Sequence, residues 1–389
     1  MSTPRLKALF YGFFAWAPAS AMLLLFSGCQ SPEHREDPLL SILRSENPDI
    51  QRVMQDPEKY EIQIRYTRIN REGDSVRFTD YDYRVARDTY FYPASTVKFP
   101  IALAALEKLN SLDSLERTNR YYIEGDSVEN SFAEDIDKIF AVSDNHASNR
   151  LIEFLGQDEI NARISDKNAG PVRISHRLGY HREDRTTQPL VIYMNDSITV
   201  LSDPIISSPP TPLDLKGIRK GTGFYDGDSL IAEPFDFSMK NYLPVQTLHG
   251  LLKRVVFPEN FPEEERLKIN ADQREFLLTS MKTLPRLSGY PADIYPDGYC
   301  KFFIYGDTEE PIPDAIEIYN KVGFAYGTLT DCAYIKDTEK GIEFMLTATI
   351  LVNANGIFND DHYEYDQTGL PFLASLGREV YKFESGQLK

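Results

Sequence analysis

Cysteine, histidine and tryptophan are scarce in this chain, and their scarcity excludes several kinds of site. The 389 residues include 3 cysteines, 6 histidines and 1 tryptophan. No two cysteines have the C-x-x-C spacing of a zinc site, and no histidines have the H-E-x-x-H or H-x-x-x-H spacing of a metal centre. We therefore expect no metal ion and no cofactor. We expect Cys300 and Cys332 to be half-buried free thiols, although a disulfide between them stays open in an exported protein.

Basic residues are also fewer than a protein that binds nucleic acid or anionic lipid needs. The chain has 42 lysines and arginines against 59 aspartates and glutamates, which gives a net charge of −17. A protein that binds nucleic acid needs a basic face for the phosphates, and adhesion to anionic lipid needs a basic patch. The charge therefore argues against both partners and indicates an acidic, solvated surface.

One long hydrophobic run stands at the N-terminus. Arg5 and Lys7 precede the apolar stretch ALFYGFFAWAPASAMLLLF, which SGC follows. A basic start, an apolar stretch and small residues are typical of a secretory signal, which we place at residues 1–28. Ser27 and Gly28 before Cys29 resemble the lipobox of bacterial lipoproteins, although Phe26 stands where leucine is usual. The resemblance implies lipidation of Cys29 and a periplasmic, membrane-anchored protein; a plain membrane anchor or an ordinary secreted protein is the alternative.

The rest of the sequence predicts strands at both ends and helices between them. Residues 29–40 form a polar tether, and residues 41–389 form the folded domain. Alternating patterns indicate a hairpin at 61–85 and later strands, whereas helical periodicity and Pro, Gly, Thr and Asp clusters mark the other segments. The late strands are expected at 315–324, 330–337 and 342–353, the helices at 99–109, 134–142, 147–156, 244–256, 270–284 and 372–383, and an irregular insertion at about 180–240.

Strands from the two ends can pair only if the helices form an inserted block. Short turns between consecutive strands favour an antiparallel sheet. We therefore predict an α+β fold, with a sheet lobe from about 55–100 and 312–389 and a helical lobe from about 101–311. An active site would lie in the crevice between the lobes.

Three short motifs carry the candidate chemistry. In STVK, Ser95 and Lys98 are three residues apart and would share a helix face, where a neutral amine can take the serine proton. The motif SDN at 143–145 lies between two helical patterns, and its simpler interpretation is a helix N-cap. The motif KVG at 321–323 lies on a late strand, and its simpler interpretation is a glycine bulge. Each motif alone is weak, but all three occur in order on the expected elements.

Together these motifs resemble the signatures of the serine β-lactamase and penicillin-binding-protein superfamily, with class A β-lactamases closest. The resemblance runs from about Glu61 to Phe383 and is interrupted by the insertion. It implies an α/β sandwich with a helical lobe, in which helices cover both faces of an antiparallel sheet.

The resemblance also implies a role for each motif residue. Ser95 would be the acylated nucleophile and Lys98 its proton acceptor. Ser143 would relay a proton to the departing nitrogen, and Asn145 would hold Lys98 and the amide oxygen of the substrate. Lys321 would raise the positive potential and attract a substrate carboxylate.

The third motif would complete the substrate site. Gly323 would border the substrate on this strand. The backbone N–H groups of Ser95 and Phe324 would form the oxyanion hole, which in serine hydrolases contributes about 3–4 kcal/mol of transition-state stabilisation.

Two departures from the family pattern concern the carboxylate and the deacylating water. Val322 replaces a hydroxyl residue that helps to bind the substrate carboxylate, and valine cannot donate a hydrogen bond. Counting without gaps from Ser143, residues 177–179 are Arg-Leu-Gly where Arg-Trp-Glu is expected. Glu183 is a possible substitute deacylation base, or a solvated loop charge.

The sequence thus predicts a serine acyl-enzyme hydrolase of the cell envelope that hydrolyses β-lactams. The alternatives are a penicillin-binding protein acting on peptidoglycan peptides, a related amidase or esterase, and a non-catalytic envelope binding protein. We expect a monomer whose partners are a small-molecule substrate and, through the lipid anchor, the membrane.

Overall fold

The computed structural model describes residues 37–73, 75–179 and 184–386. The expected signal segment, Cys29 and Glu183 lie outside these residues. The segment expected as a tether ends earlier than predicted, because Asp37 caps a helix that begins at Pro38 by accepting hydrogen bonds from the backbone N–H groups of Leu39 and Leu40. Among the described helices, none combines the length and apolarity that a membrane crossing requires.

Eight helices of six or more residues precede the helix near the C-terminus in the described residues, and a four-residue helix, Phe302–Tyr305, lies between the last of them and that helix. We number them in chain order: α1 Pro38–Leu43, α2 Pro48–Met54, α3 Lys98–Asn110, α4 Phe132–Ala141, α5 Asn145–Leu155, α6 Gln157–Ser165, α7 Val245–Val256 and α8 Ala271–Lys282. The C-terminal helix spans Leu370–Glu384. Side-chain caps set several starts: Ser131 and Glu134 form a capping box at α4, and Asp144 caps α5.

In the described residues, the long strands form one central sheet and the short strands form three smaller sheets. The long strands are β1 Gln63–Glu72, β2 Ser75–Tyr83, β11 Ile316–Ala325, β12 Thr328–Asp337 and β13 Ile342–Leu351. The short strands are β3 Arg120–Ile123, β4 Asn130–Ser131, β5 Leu190–Asn195, β6 Ile198–Leu201, β7 Arg219–Lys220, β8 Gly223–Asp226, β9 Ser229–Ile231, β10 Phe235–Asp236 and β14 Ile357–Phe358.

The central sheet joins the two ends of the chain. Its strand order is β11-β12-β13-β1-β2, and every neighbouring pair is antiparallel. The early strand β1 pairs with the late strand β13, with Gln63 opposite Thr349 and Tyr66 opposite Leu346. The intervening helices therefore form an insertion between strands, as the order of patterns in the sequence predicts.

Helices pack on both faces of this sheet. One core cluster joins Met345 of β13 to α3, α5 and α7, with Leu103, Leu151 and Leu248 fully buried. The other cluster joins the opposite face to α1 and the C-terminal helix, through Leu346, Leu39 and Phe372 among others. The predicted α+β fold, an antiparallel sheet with helices on both faces, is confirmed.

The insertion at 180–240 has more regular structure than its composition indicates. Strand β5 pairs with β3 and β6, and β8 pairs with β9 and with β14, which lies more than a hundred residues later. Short strands closed by distant partners leave little periodicity in the sequence. The contact with β14 brings this insertion to the loop that precedes the C-terminal helix.

Candidate active site

Ser95 lies on a tight turn at the start of α3. Residues Ala94–Val97 form one 3-10 turn, and the α-helix begins at Lys98. The turn is closed by the backbone N–H and the hydroxyl of Thr96, which donate to the carbonyl of Pro93 at 3.1 and 2.6 Å. Ser95 therefore precedes the α-helix that the sequence predicts it to share with Lys98. It remains one turn away from the lysine and is partly exposed, whereas Lys98 is fully buried.

Strand β11 passes directly against this turn, and only glycine fits at the crossing. A Cβ on Gly323 would lie 2.7 Å from the Pro93 carbonyl oxygen, 2.7 Å from the Thr96 nitrogen and 2.8 Å from the Ser95 nitrogen. All three are backbone atoms, which cannot rotate away. The glycine of the third motif therefore lets the strand that carries Lys321 approach the turn that carries Ser95.

Two lysines from distant parts of the chain meet at Ser143. The Lys98 ammonium donates to the Ser143 carbonyl and lies 3.3 Å from its Oγ. The Lys321 ammonium donates to the same Oγ at 2.8 Å and to the Val322 carbonyl at 2.8 Å. The backbone of Ser143 is left-handed, with φ of 58°, and Asp144 caps α5 immediately afterwards. A non-glycine residue in this conformation is typical of functional sites.

Burial favours the neutral form of both amines, and for Lys98 the charge of Lys321 adds to this effect. Burial lowers the pKa of Lys98 well below its usual value, and the positive charge of Lys321 lowers it further. Burial lowers the pKa of Lys321 to about 8. A lysine whose neutral form is accessible near neutral pH can act as a general base, which an ordinary surface lysine cannot.

A buried polar network supports β11 behind Lys321. The Asn320 amide donates to Asp331 Oδ1 at 2.9 Å and to the Cys300 carbonyl at 2.8 Å, and its oxygen accepts from the Lys301 ammonium at 2.7 Å. Burial raises the pKa of Asp331 to about 6 and lowers that of Lys301 to about 8. Cys300 and Cys332 are both buried free thiols. The network fixes the strand, since a half-satisfied buried group would be costly.

A cavity of about 360 Å³ opens above Ser95. Its lining includes Ser95, Asn145 and Phe324 from the predicted set. Within the described part of the chain, the Ser95 hydroxyl forms no hydrogen bond, so it is available to a substrate. Lys321 and Gly323 are not on the lining but lie below it, against Ser143 and the serine turn respectively.

Asn145 is placed at the cavity but not against the lysine. It is the first residue of α5 and is exposed, and its amide nitrogen lies 3.5 Å from the Cβ position of Gly179 on the facing wall. The ammonium of Lys98 instead bonds to Ser143. The structure therefore brings Asn145 to a substrate but does not give it the predicted contact with Lys98.

The two departures from the family pattern fall on opposite sides of β11. Val322 is 1% exposed and packs in the core on the face covered by the C-terminal helix, so it does not line the cavity. Leu178 and Gly179 do line it, and the Asn149 side chain holds Leu178 through its backbone N–H at 3.1 Å and carbonyl at 2.8 Å. Arg177 is buried in an ion pair with Glu153. Among the described residues of this wall, hydrophobic and glycine residues face the serine.

The opposite wall is the part of the site that the sequence did not predict. It comes from the loop before the C-terminal helix and from the end of β11, and it contains Tyr326, Asn359, Asp361, Tyr363 and Tyr365. The only signal in the sequence is the acidic and aromatic composition of NDDHYEYD at 359–366. Composition of this kind fits an ordinary surface loop equally well, so nothing local assigns it to the serine.

Removing the charge of Lys321 should shift the pH profile. If Lys98 must be neutral to accept a proton, activity rises with pH as Lys98 loses its proton. Because Lys321 helps to lower the pKa of Lys98, Lys321→Gln should raise that pKa and move the rising limb to higher pH. Loss of the charged hydrogen bond to Ser143 should also lower kcat/KM about tenfold at neutral pH.

The measurement is kcat/KM against pH for the two proteins with one substrate. Lys340→Gln, which removes an exposed lysine distant in sequence from the three motifs, serves as the control for net charge. If the rising limb of the pH profile stays in place in Lys321→Gln, or moves to lower pH, the assignment of Lys98 as the base is contradicted.

Sequence comparison matches the first part of the domain. A family model described as the β-lactamase enzyme family matches residues 48–202. This segment contains Ser95, Lys98, Ser143 and Asn145 and ends before Lys321. No curated protein matches the chain by sequence.

Solved structures match nearly the whole chain. The β-lactamase from Sphaerobacter thermophilus is similar at a TM-score of 0.50 and 14% identity, covering 89% of this chain and 96% of that one. A class A β-lactamase from Mycobacterium abscessus has a TM-score of 0.50 and 16% identity, with 87% and 98% covered. The structure of PBP-A has a TM-score of 0.51 and 14% identity, with 90% and 96% covered. At these identities the likeness establishes the fold.

Proposed function

We propose that the chain belongs to the serine β-lactamase and penicillin-binding-protein superfamily and that it is a serine hydrolase that acts through an acyl-enzyme on Ser95. The observation that carries the proposal is the meeting of Lys98 and Lys321 on Ser143, with Lys98 one turn after a cavity-lining serine whose hydroxyl has no partner among the described residues. A protein that only binds a ligand has no need for two buried lysines at a depressed pKa.

The proposed reaction begins with attack by Ser95 Oγ on a carbonyl carbon. The hydroxyl proton passes to the neutral amine of Lys98, and the carbonyl oxygen becomes an oxyanion. The backbone N–H groups of Ser95 and Phe324 donate to that oxyanion. The two lysines surround Ser143 with positive charge, which favours transfer of its proton to the leaving nitrogen or oxygen as the bond breaks. Lys98 passes the proton that it took from Ser95 on to Ser143, so that both residues return to their starting state. Water then hydrolyses the serine ester and restores the hydroxyl.

Among amides, we propose β-lactams as the leading substrate class. This rests on the resemblance of the three motifs and on the names of the similar structures. A second outcome has its own support: Leu178 and Gly179 occupy the wall where class A enzymes carry the glutamate that activates water. An acyl-enzyme without that base persists, as it does in penicillin-binding proteins, so slow release of the acyl group is the alternative proposal.

The proposal is tested with a chromogenic cephalosporin and with p-nitrophenyl acetate. Colour and intact protein mass are followed together over time. Turnover of the cephalosporin supports the β-lactamase, whereas a stable adduct on Ser95 supports the penicillin-binding alternative. Hydrolysis of the ester alone, through Ser95, supports an esterase. Absence of all three would reject the acyl-enzyme and leave a binding protein.

We also propose that the protein is exported and held in the envelope by lipid on Cys29. The support is the basic start, the apolar stretch and the Ser-Gly-Cys that follows. Intact mass of the membrane-extracted protein is expected to show acyl chains on a new N-terminal Cys29. Cleavage elsewhere, or a Cys29 without acyl mass, would reject the anchor.

A further inference from the structure

The far wall of the cavity has an unusual composition for a site that receives an anionic substrate. Five of the side chains that line the cavity are aromatic: Tyr92, Phe324, Tyr326, Tyr363 and Tyr365. The one acidic residue on the described lining is Asp361, and none of the described lining residues is a lysine, an arginine or a histidine. Aromatic faces and a carboxylate together attract cations.

Asp361 is available to a ligand. It is exposed, and within the described residues its carboxylate makes no hydrogen bond and no ion pair. The adjacent Asp360 is different, because it accepts from Asn355 at 2.6 Å and from the His362 backbone at 3.0 Å. Asp360 thus holds the loop, whereas Asp361 is left free at the mouth of the cavity.

The aromatic side chains are held in place rather than loose. The Tyr363 hydroxyl accepts from the Asn359 backbone at 2.9 Å, and the Tyr365 hydroxyl accepts from the Gly327 backbone at 2.8 Å. Phe324 packs edge-on against Tyr365 at 5.5 Å. Burial raises the pKa of Tyr365, and the negative charge of Asp361, which lines the same cavity, adds to that rise. The wall is therefore preorganised.

The groups that would receive a carboxylate are turned away from the cavity. Lys321 is 2% exposed, and its ammonium is engaged by Ser143 and the Val322 carbonyl. Val322 packs in the core on the other face of β11. A positive field thus acts below Ser95, where an oxyanion would form, while the mouth presents negative charge and aromatic faces. The cavity complements a substrate with a carbonyl at one end and a cation at the other.

We infer that the substrates are amides or esters whose acyl part carries an ammonium group, bound by Asp361 and the aromatic wall. The inference rests on the proposed acyl-enzyme at Ser95 and adds the class of group that the cavity selects. A carboxylate in the same place would meet Asp361 and be repelled.

Three p-nitrophenyl esters of equal length provide the test. They are the trimethylammonio-butanoyl ester, its uncharged tert-butyl isostere and the half-ester of glutaric acid, which share the reacting carbonyl and the spacer and carry a positive, a neutral and a negative group at the far end. The wild-type protein should favour the ammonium ester over its isostere about tenfold in kcat/KM, since a partly desolvated cation–π contact and one exposed charge pair together supply that much. The glutaric half-ester should be the poorest of the three.

Two matched variants show which residues produce the preference for the ammonium ester. Asp361→Asn should reduce the preference to about threefold, which is the part that the aromatic rings supply. Asp366→Asn removes the same charge from a nearby exposed position outside the cavity and should leave the preference unchanged. Equal rates for the ammonium ester and its isostere, a preference that survives Asp361→Asn intact, or an equal loss in Asp366→Asn would each overturn the inference.

A binding measurement separates this inference from the proposed function. The trimethylammonio-butanamide and its tert-butyl isostere are titrated calorimetrically into Ser95→Ala protein. Turnover through Ser95 without any preference for the cation rejects the inference and keeps the acyl-enzyme. Tighter binding of the cationic amide without turnover rejects the acyl-enzyme and keeps the cation site. If the protein shows neither turnover nor selective binding of the cationic amide, the acyl-enzyme and the cation site are both rejected.

Discussion

Replacing Ser95 with alanine should lower kcat/KM for every accepted substrate by on the order of 10⁴- to 10⁶-fold, the cost of losing the nucleophile in a serine hydrolase. Ser143 is not expected to replace it, since its hydroxyl is engaged by two ammonium groups and does not line the cavity. The covalent adduct with the cephalosporin should disappear in the same variant. Both effects are measured by colour release and by intact protein mass.

The same variant should leave the fold intact. Ser95 is partly exposed and its hydroxyl has no partner among the described residues, so the free energy of unfolding should change by less than about 0.5 kcal/mol. Ser127→Ala, at an exposed serine outside the cavity, is the matched control and should retain full activity. A folded Ser95→Ala protein that still forms the adduct would place the nucleophile elsewhere and reject the proposed site.

Replacing Gly323 with alanine should damage both stability and acylation. The added Cβ would lie 2.7–2.8 Å from three backbone atoms of the serine turn, so β11 and the turn must separate. Overpacking of this kind costs about 1–3 kcal/mol, and backbone contact on every side favours the upper end. Separation moves Lys321 from Ser143 and shifts Ser95 under the cavity. A misplacement of about 1 Å can reduce the rate about a hundredfold.

The loss of stability and the loss of acylation rate are measured in separate experiments. Chemical unfolding gives the loss of stability, and the rate of adduct formation is measured well below the unfolding transition, where the variant is folded. Gly250→Ala is the control, because its Cβ would have ordinary contacts, the nearest at 3.5 Å, and alanine favours the interior of α7 by up to about 1 kcal/mol. Unchanged stability and rate in Gly323→Ala would show that the close crossing of β11 and the turn is not needed.

The long strands and most of the longer helices could be predicted because each carries a local pattern. The alternation in β1 and β2, the apolar runs in β12 and β13 and the apolar stripes of α4 and α7 are such patterns. The pairing of early strands with late ones followed from their order alone, since strands at both ends need partners. Ser95 was expected on the helix of Lys98, because residues three apart lie on one face of a 3-10 turn as well as of an α-helix.

The chemistry of the site could be predicted only in part. Ser95, Lys98, Ser143 and Lys321 were found through the order of their motifs, and the structure places the two lysines on Ser143. Their roles stay predictions. Asn145 lies at the cavity without reaching Lys98, which the motif spacing does not reveal. Asp361 and the tyrosines around it were not predicted at all, because a long loop brings them to the serine and no local pattern encodes that contact.

The pairing of β1 with β13 has a consequence for synthesis. Roughly 270 residues separate the two strands, so a ribosome must translate the chain through β13 before the central sheet can close. Until Ile342–Leu351 emerges, the outer edge of β1 has unpaired backbone groups and can join the strand of another chain. We therefore expect the nascent protein to depend on chaperones until these late strands are translated. Lys321 lies on β11, which is also translated late, so the active site can form only when the central sheet forms.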